Sequence, residues 1–159
     1  MKLTKKVFVI GLPILLSILI VSFVTIKKVS PLSAFWWGKV NVEDSIAAHQ
    51  FDLVSYFSGT AQQGEKQFTA DYEGVTYYFG SIENKQTFNA EPSRYIPQFG
   101  GYCAFATSKG FTADSDPQAW TIVADKLYFF ADNSVKKEWV ETMGSGSLTR
   151  SHDNWNAAF

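Results

Sequence analysis

The feature that most constrains this chain is an uncharged run at residues 7–26, VFVIGLPILLSILIVSFVTI. A helix of about 20 apolar residues is long enough to cross the hydrocarbon core of a bilayer, which is about 30 Å thick. The apolar part of a cleaved signal peptide is shorter, about 7–15 residues. We therefore predict a retained signal-anchor helix, closed by Lys27 and Lys28. Signal cleavage after Ala34, in Leu32-Ser33-Ala34, is the alternative.

The charges around this run predict its orientation. Lys2, Lys5, Lys6 and the α-amino group precede it, whereas only Lys27 and Lys28 follow it closely. By the positive-inside rule the N-terminus stays in the cytoplasm. We thus predict a single-pass protein of the cytoplasmic membrane whose C-terminal part faces the periplasm or the exterior. The net charge of −1 gives no reason to expect nucleic-acid binding, since that function requires a basic face.

The chain divides into three predicted segments. Residues 1–28 form the anchor, residues 29–44 a linker and residues 45–159 one domain with C-terminal helices. Pro31 and Gly38 favour the linker, but Phe35-Trp36-Trp37 interrupts it with three aromatic residues. Two interpretations of these rings remain open: they lie at the membrane interface, where aromatic residues are favoured, or they cover the domain core.

Alternating apolar residues predict two hairpins. The first covers residues 68–79 around Glu73-Gly74, where glycine supplies the positive φ of a two-residue turn. Ser81 is the predicted N-cap of a following helix that ends before Pro92. The second hairpin pairs a strand at Trp120 and Ile122 with residues 127–130. Residues 45–57 are predicted as a short helix or turn and then a strand.

Two further helices are predicted near the C-terminus. Val135, Trp139 and Met143 recur at i, i+4 and i+8 behind cap candidates at residues 132–134, which indicates one buried stripe. Leu148, His152, Trp155 and Phe159 have helical spacing in the last segment. The predicted fold class is therefore α+β: a small antiparallel sheet of hairpins with short helices packed on it, preceded by one N-terminal transmembrane helix.

The order of several segments resembles a known family. An aspartate, an aliphatic pair and a Tyr-Phe pair occupy residues 52–57, and the first hairpin, Phe88, Pro92 and Tyr95 follow. This order is similar to that of the YHS domain. Residues 97–104, PQFGGYCA, resemble a branch of the family with a GGYCA segment. The resemblance covers roughly residues 47–130 and continues more weakly to Trp155.

The resemblance implies a binding module. Family members that handle metals look as if they hold copper or zinc with thiols, one in the first strand segment and two after the hairpin. Those positions are Ser55, Gly80 and Asn84 here, so none is a cysteine. The resemblance therefore implies a membrane-tethered ligand- or metal-binding domain, whereas the missing thiols favour a structural or protein-partner-binding module without metal.

The residues themselves suggest two kinds of site. Cys103, His49 and His152, with a carboxylate such as Asp52, are the candidate metal ligands, although their spacing matches no metal motif. For Cys103, burial as a small apolar residue is favoured over metal binding or pairing with another molecule. The second candidate is a shallow ligand pocket, whose predicted lining is Gly100, Gly101, Tyr95 and Tyr102. Glycine lets a ligand approach the main chain, but the tyrosines would equally serve an aromatic core.

Catalysis is the function class with the least support. The chain has no Gly-rich phosphate loop and no HExxH or GxSxG motif. Neither histidine lies in a motif that would pair it with Cys103 as a nucleophile. We therefore predict a non-catalytic domain.

Overall fold

The computed structural model describes residues 4–34 and 37–159, with side chains from residue 13 onward. Its class is mixed α+β, as predicted, with small sheets and short helices. The helices are α1 Thr4–Ile26, α2 Ile82–Ala90, α3 Pro92–Tyr95, α4 Ala104–Ser108, α5 Asn133–Glu141 and α6 Ser147–Ala158. The strands are β1 Ser30–Pro31, β2 Val42–Glu43, β3 Ile46–Ala47, β4 Glu65–Tyr72, β5 Val75–Phe79, β6 Phe111–Thr112, β7 Asp116–Val123 and β8 Lys126–Phe130.

Helix α1 presents large apolar side chains to its surroundings. Ile14, Leu19 and Ile26 are 54%, 59% and 69% exposed. The predicted span at residues 7–26 includes residues 7–12, whose side chains lie outside the described part of the chain. Among the side chains that are described, 13–34 and 37–159, we find no helix with both the length and the apolar character needed to cross a membrane.

The first predicted hairpin is confirmed and belongs to a four-stranded sheet in the order β2-β3-β5-β4. Tyr72 pairs with Val75 across a turn in which Glu73 and Gly74 have φ of 51° and 77°. Two positive φ values are typical of the tight turns that match the twist of a hairpin. One pairing in this sheet is parallel, between β3 and β5, so the sheet is not purely antiparallel.

The second hairpin, β7 and β8, forms a separate two-stranded sheet. Its turn residues Ala124 and Asp125 also have positive φ, 49° and 59°. Strand β8 is buried on both faces. Leu127 and Phe129 pack into one hydrophobic cluster, with Phe79 and Phe88, whereas Tyr128 and Phe130 pack into a second cluster, with Trp139. Because successive side chains of a strand point to opposite faces, this strand joins the two halves of the core.

The predicted helix starts are confirmed. The Ser81 hydroxyl accepts a hydrogen bond from the N–H of Asn84 at 3.1 Å, and Asp132 accepts one from Val135 at 2.9 Å. Each cap satisfies one of the N–H groups that a helix leaves unpaired at its start. Trp139 of α5 is fully buried, and Val135 and Met143 pack on its cluster, although Met143 follows the end of α5.

The last helix is confirmed, and Leu148 and Trp155 of its predicted stripe pack on the second core cluster, although its fully buried residues are two serines outside the stripe. Ser147 and Ser151 are the fully buried residues of α6, whereas Leu148, His152 and Trp155 are half-buried and Phe159 is 39% exposed. Ser151 donates a hydrogen bond to the carbonyl of Ala104 at 2.9 Å. Because these side chains are small, α6 can pack closely against α4.

The strand predicted at the end of residues 45–57 is wrong. The chain there forms a 3-10 turn at Ser55–Ser58, and the nearby strand, β3, lies earlier. Asp52 Oδ1 accepts a hydrogen bond from the N–H of Val54 at 2.9 Å, and Ser55 Oγ donates to the carbonyl of Asp52 at 2.7 Å. Such local side-chain bonds give the backbone an alternative to strand pairing.

Part of the predicted linker, residues 29–44, packs on the domain. Strand β1 pairs with β6, Leu32 is buried, and β2 is the outer strand of the four-stranded sheet. Of the aromatic cluster, Phe35 and Trp36 lie outside the described residues. The carbonyl of Trp37 accepts a hydrogen bond from the hydroxyl of Tyr102 at 3.2 Å, which places this part of the chain against the domain.

Candidate functional site

The three positions that the resemblance marks as thiol sites meet around one buried carboxylate. Asp52 is 0% exposed. Its Oδ2 atom accepts hydrogen bonds from the Gly80 N–H at 2.8 Å and from the Asn84 side-chain amide at 2.6 Å. Its Oδ1 atom accepts from Val54 N–H at 2.9 Å and more weakly from Ser55 N–H at 3.4 Å. The carboxylate therefore joins the residue 52–58 turn to the end of β5 and the start of α2.

This polar network does not fit copper or zinc. Ser55, Gly80 and Asn84 provide no thiolate, the ligand that selects soft metals. The Ser55 hydroxyl is already engaged, since it donates to the carbonyl of Thr60 at 2.9 Å and accepts from the N–H of Gln62 at 3.1 Å. A Cβ atom at Gly80 would meet the side-chain amide of Gln62 and lie 3.4 Å from Asp52 Oδ2, so a side chain there would require Gln62 to move.

Cys103 is buried, as predicted, and is 2% exposed. It precedes α4, and burial raises the pKa of its thiol despite hydrogen bonds from neighbouring backbone groups. A thiol with a raised pKa is a poor nucleophile and a poor metal ligand at neutral pH. His49 and His152 have other partners, Asp114 and Tyr128. Within the described part of the chain, no three His, Cys, Asp or Glu residues are grouped so that they could hold a metal ion.

Gly100 is approached by the chain itself. A Cβ atom on Gly100 would overlap the carbonyl oxygen of Lys39, and the Gly100 carbonyl accepts a hydrogen bond from Asn41 N–H at 2.8 Å. Gly100 and Gly101 have φ of 60° and 82°, a region that favours glycine. Residues 39–41 therefore pack against the glycine pair. They occupy the place beside the main chain that the sequence suggested for a ligand.

The two tyrosines of the predicted pocket lie in the core. Tyr102 is 0% exposed, and burial, with the nearby charge of Asp114, raises its pKa to about 12. Tyr95 is 8% exposed and packs edge-on against Phe57, with ring centroids 5.0 Å apart. Both rings thus serve the aromatic core, the second of the two predicted roles.

His49 belongs to a charged cluster near the end of α1. Its Nε2 atom lies 3.3 Å from Asp114 Oδ1 but is not aligned as a hydrogen bond. The side-chain amide of Asn41 donates to the same carboxylate at 2.8 Å, and Lys28 Nζ lies 4.0 Å from it. Burial raises the pKa of Asp114, but the contacts with His49, Asn41 and Lys28 outweigh it and lower the pKa to about 2. This carboxylate therefore stabilises the fold at neutral pH, and that contribution is lost as the pH falls from about 4 towards 2.

The backbone around His49 has an unusual conformation. Ala48, His49 and Gln50 have φ of 54°, 51° and 67°, three left-handed residues in succession without a glycine. Each such residue costs on the order of 1 kcal/mol or more unless the surroundings hold it in place. Here the Gln50 carbonyl accepts from Gly64 N–H at 2.8 Å, and Phe51 N–H donates to Ala48. The turn directs the His49 ring towards Asp114.

A cavity of about 330 Å³ contains two of the predicted site residues, Gly100 and His152. Phe99 and Trp155 also line it, with ring centroids 5.8 Å apart. Lys39 and Glu73, of opposite charge, line it as well. His152 Nε2 lies 3.2 Å from the hydroxyl of Tyr128, and its ring packs edge-on against Phe99 at 5.0 Å. The cavity volume lies within the range of small-molecule sites, about 300–1,000 Å³.

A larger cleft of about 480 Å³ lies beside the end of α1, but its acidic groups are already engaged. Asp114 contacts His49, Asp116 accepts from Gln118 N–H at 2.8 Å, and Asp132 caps α5. The 330 Å³ cavity is therefore the better candidate for a ligand site. Sequence reasoning missed Lys39 and Trp155 as its lining. The former was assigned to the linker, and the latter to a helix face packed on the domain.

Comparisons with known proteins give no match: no family model fits this chain, and no similar curated protein or solved structure is found.

Proposed function

We propose that this chain is a membrane-anchored, non-catalytic binding domain on the outer side of the cytoplasmic membrane. The uncharged run at residues 7–26 and the exposed side chains of α1 support the anchor. Leu19, Ile20 and Val21 are 59%, 55% and 63% exposed and point in different directions, because successive helical residues are about 100° apart. A helix that is apolar on all sides is normally enclosed by protein or lipid. The lysines before the run favour a cytoplasmic N-terminus.

The observation that carries the binding proposal is the 330 Å³ cavity whose lining includes Trp155, Lys39 and Glu73. Trp155 is partly exposed there and offers an aromatic wall that suits a flat ring, since aromatic pairs favour offset or edge-on packing. Lys39 and Glu73 give the cavity one positive and one negative group. A ligand that satisfied both would be zwitterionic. We therefore infer that the ligand is a small aromatic molecule carrying an amino and an acidic group.

Metal binding is less well supported than binding of a small organic ligand. Copper or zinc would need thiolates that residues 55, 80 and 84 do not provide.

A second candidate function is a structural or protein-partner-binding module. The Asp52 network favours it, because every oxygen of the Asp52 carboxylate already has a protein donor. The two candidates differ in whether the cavity takes a ligand.

Titration calorimetry of the full chain in detergent micelles tests the cavity, with L-tryptophan as the probe and L-alanine as the matched zwitterion without a ring. We expect saturable binding of L-tryptophan but not of L-alanine. Trp155→Leu removes an aromatic wall and should weaken binding about tenfold, equivalent to about 1.4 kcal/mol. Trp120→Leu, at a half-buried tryptophan outside the cavity, should leave it unchanged. Absence of saturable binding to the native chain would favour the structural module instead.

A further inference from the structure

A face of the domain beside the anchor is apolar and uncharged. Strand β1 pairs with β6 so that Pro31 lies opposite Phe111, which is 43% exposed. Next to this pair lies a shallow groove of about 220 Å³. None of the residues that line the groove is charged: Leu32, Ser33, Gly110, Asn154, Ala157 and Ala158. We name the surface formed by residues 31–33, 110–111 and 157–158 the anchor-side face.

The anchor-side face is held close to the end of α1. Asp114 N–H donates to the Lys27 carbonyl at 2.7 Å, and the Thr112 hydroxyl donates to the Lys28 carbonyl at 3.0 Å. The Lys28 ammonium donates to Asn41 at 2.6 Å and to the Val42 carbonyl at 3.0 Å. These four bonds join the residues directly after α1 to β6 and β2 and to the residues beside those strands. The domain therefore cannot turn freely about the end of the helix.

Chain length sets an upper limit on the distance between this face and a bilayer that holds α1. Pro31 is five residues beyond Ile26, and five residues span at most about 18 Å when fully extended. The polar interfacial layer of one leaflet is about 5–8 Å thick. Because the connection is folded back by hydrogen bonds rather than extended, Pro31 lies nearer than this limit, and Phe111 is its partner across β1 and β6.

We propose that the anchor-side face rests on the outer leaflet of the same bilayer, with Phe111 inserted at the interface. The inference depends on the proposed membrane anchor. An uncharged surface with an exposed aromatic ring suits this layer, where apolar and polar groups meet. Lys27 is exposed at the end of α1, so its ammonium can reach lipid phosphates while its stem stays in apolar surroundings.

The same contact would place the ligand cavity near the membrane surface. Helix α6 contributes His152 and Trp155 to the cavity and Ala157 and Ala158 to the groove. With a rise of about 1.5 Å per residue, Trp155 and Ala158 are separated by about 5 Å along the helix. A ligand in the cavity would thus be bound a short distance above the lipid headgroups.

Depth-dependent quenching of a fluorescent label tests this contact. Two variants, Phe111→Cys and Ser33→Cys, carry a cysteine on the anchor-side face, and each is labelled with an environment-sensitive fluorophore. The labelled full chains are reconstituted into phosphatidylcholine vesicles that contain a nitroxide lipid as the quencher. Ile82→Cys and Val140→Cys are the matched controls, since these residues are 43% and 42% exposed and lie on α2 and α5. Cys103 is buried, so the chain without an introduced cysteine gives the blank.

We expect the labels on the anchor-side face to be quenched at least about twofold more strongly than the two controls, as interfacial residues should be. A label at Leu19→Cys, in the middle of α1, reports the anchor separately. Strong quenching at residue 19 with equal, weak quenching at residues 33, 82, 111 and 140 would overturn the lipid contact and leave the anchor intact. Weak quenching at residue 19 as well would overturn the anchor, and with it the proposal.

Discussion

Replacing Trp139 by alanine is expected to reduce the free energy of unfolding by about 3–5 kcal/mol, the usual cost of truncating a buried tryptophan. Trp139 is completely buried, with 0% of its surface exposed. Its ring packs against Tyr128 and Phe130, with ring centroids 5.3 and 5.2 Å away. Its indole N–H donates to Ser151 at 3.3 Å. The substitution would leave a large cavity between α5, β8 and α6.

Denaturant titration of the full chain in detergent micelles, followed by near-ultraviolet circular dichroism, measures this loss. Val140→Ala is the matched control, because Val140 is the next residue of α5 and is 42% exposed. Its effect should stay within about 0.5 kcal/mol, as for most surface substitutions. Equal midpoints for the two variants would show that the second core cluster is not packed as described.

Replacing Asp52 by alanine is expected to cost about 3 kcal/mol or more. The change leaves the Gly80 N–H and the Asn84 amide without their acceptor, in addition to the N–H of Val54. A buried donor left unsatisfied costs about 1–3 kcal/mol, and the bonds lost here go to a charged group. Asp52 would then be a structural residue that joins three segments, rather than a ligand.

Asp71→Ala is the control for this substitution, because the Asp71 carboxylate accepts a hydrogen bond from the Thr76 hydroxyl at 2.7 Å on an exposed surface. Its expected effect is below about 1 kcal/mol, since water can replace the lost partner. The same denaturant titration serves both variants. A loss for Asp52→Ala no larger than that for Asp71→Ala would contradict the role assigned to the buried network.

The sequence predicts those elements whose signals are local. Glu73-Gly74 lies between two alternating runs, and Ser81 and Asp132 stand directly before helices that they cap. Each of these structures depends on residues within three or four positions of one another. Local patterns of this kind also supplied the α+β class, because hairpins followed by short helices leave few other arrangements.

Contacts between distant segments could not be predicted in the same way. Gly100 appeared available to a ligand, but its neighbour is the Lys39 carbonyl, about sixty residues earlier in the chain. Ser147 and Ser151 have the composition of a surface, yet they are buried where α6 meets α4. From the sequence, Asp52 is a candidate metal ligand. Its role in the fold has no sequence signature, because three of its four hydrogen-bond donors are backbone groups.

The candidate site was predicted only in part. Gly100 and His152 do line one cavity, but Tyr95, Tyr102 and Cys103 lie in the core, and His49 contacts Asp114 instead. The cavity requires residues 39–40 to fold back on α6, and their position in a predicted linker gave no indication of that. Long-range packing therefore decided which of the candidate residues share a site.

The proposed topology, in which a membrane helix holds this domain outside the cytoplasm, can be measured with a topology reporter. A reporter enzyme that is active only outside the cytoplasm is joined through a flexible linker after Phe159, and the membranes are then extracted at alkaline pH. If residues 7–26 span the bilayer and the lysines before them remain inside, the reporter will be active and will stay in the membrane fraction. An inactive reporter on a stably produced chain, or a chain released by the extraction, would contradict this topology.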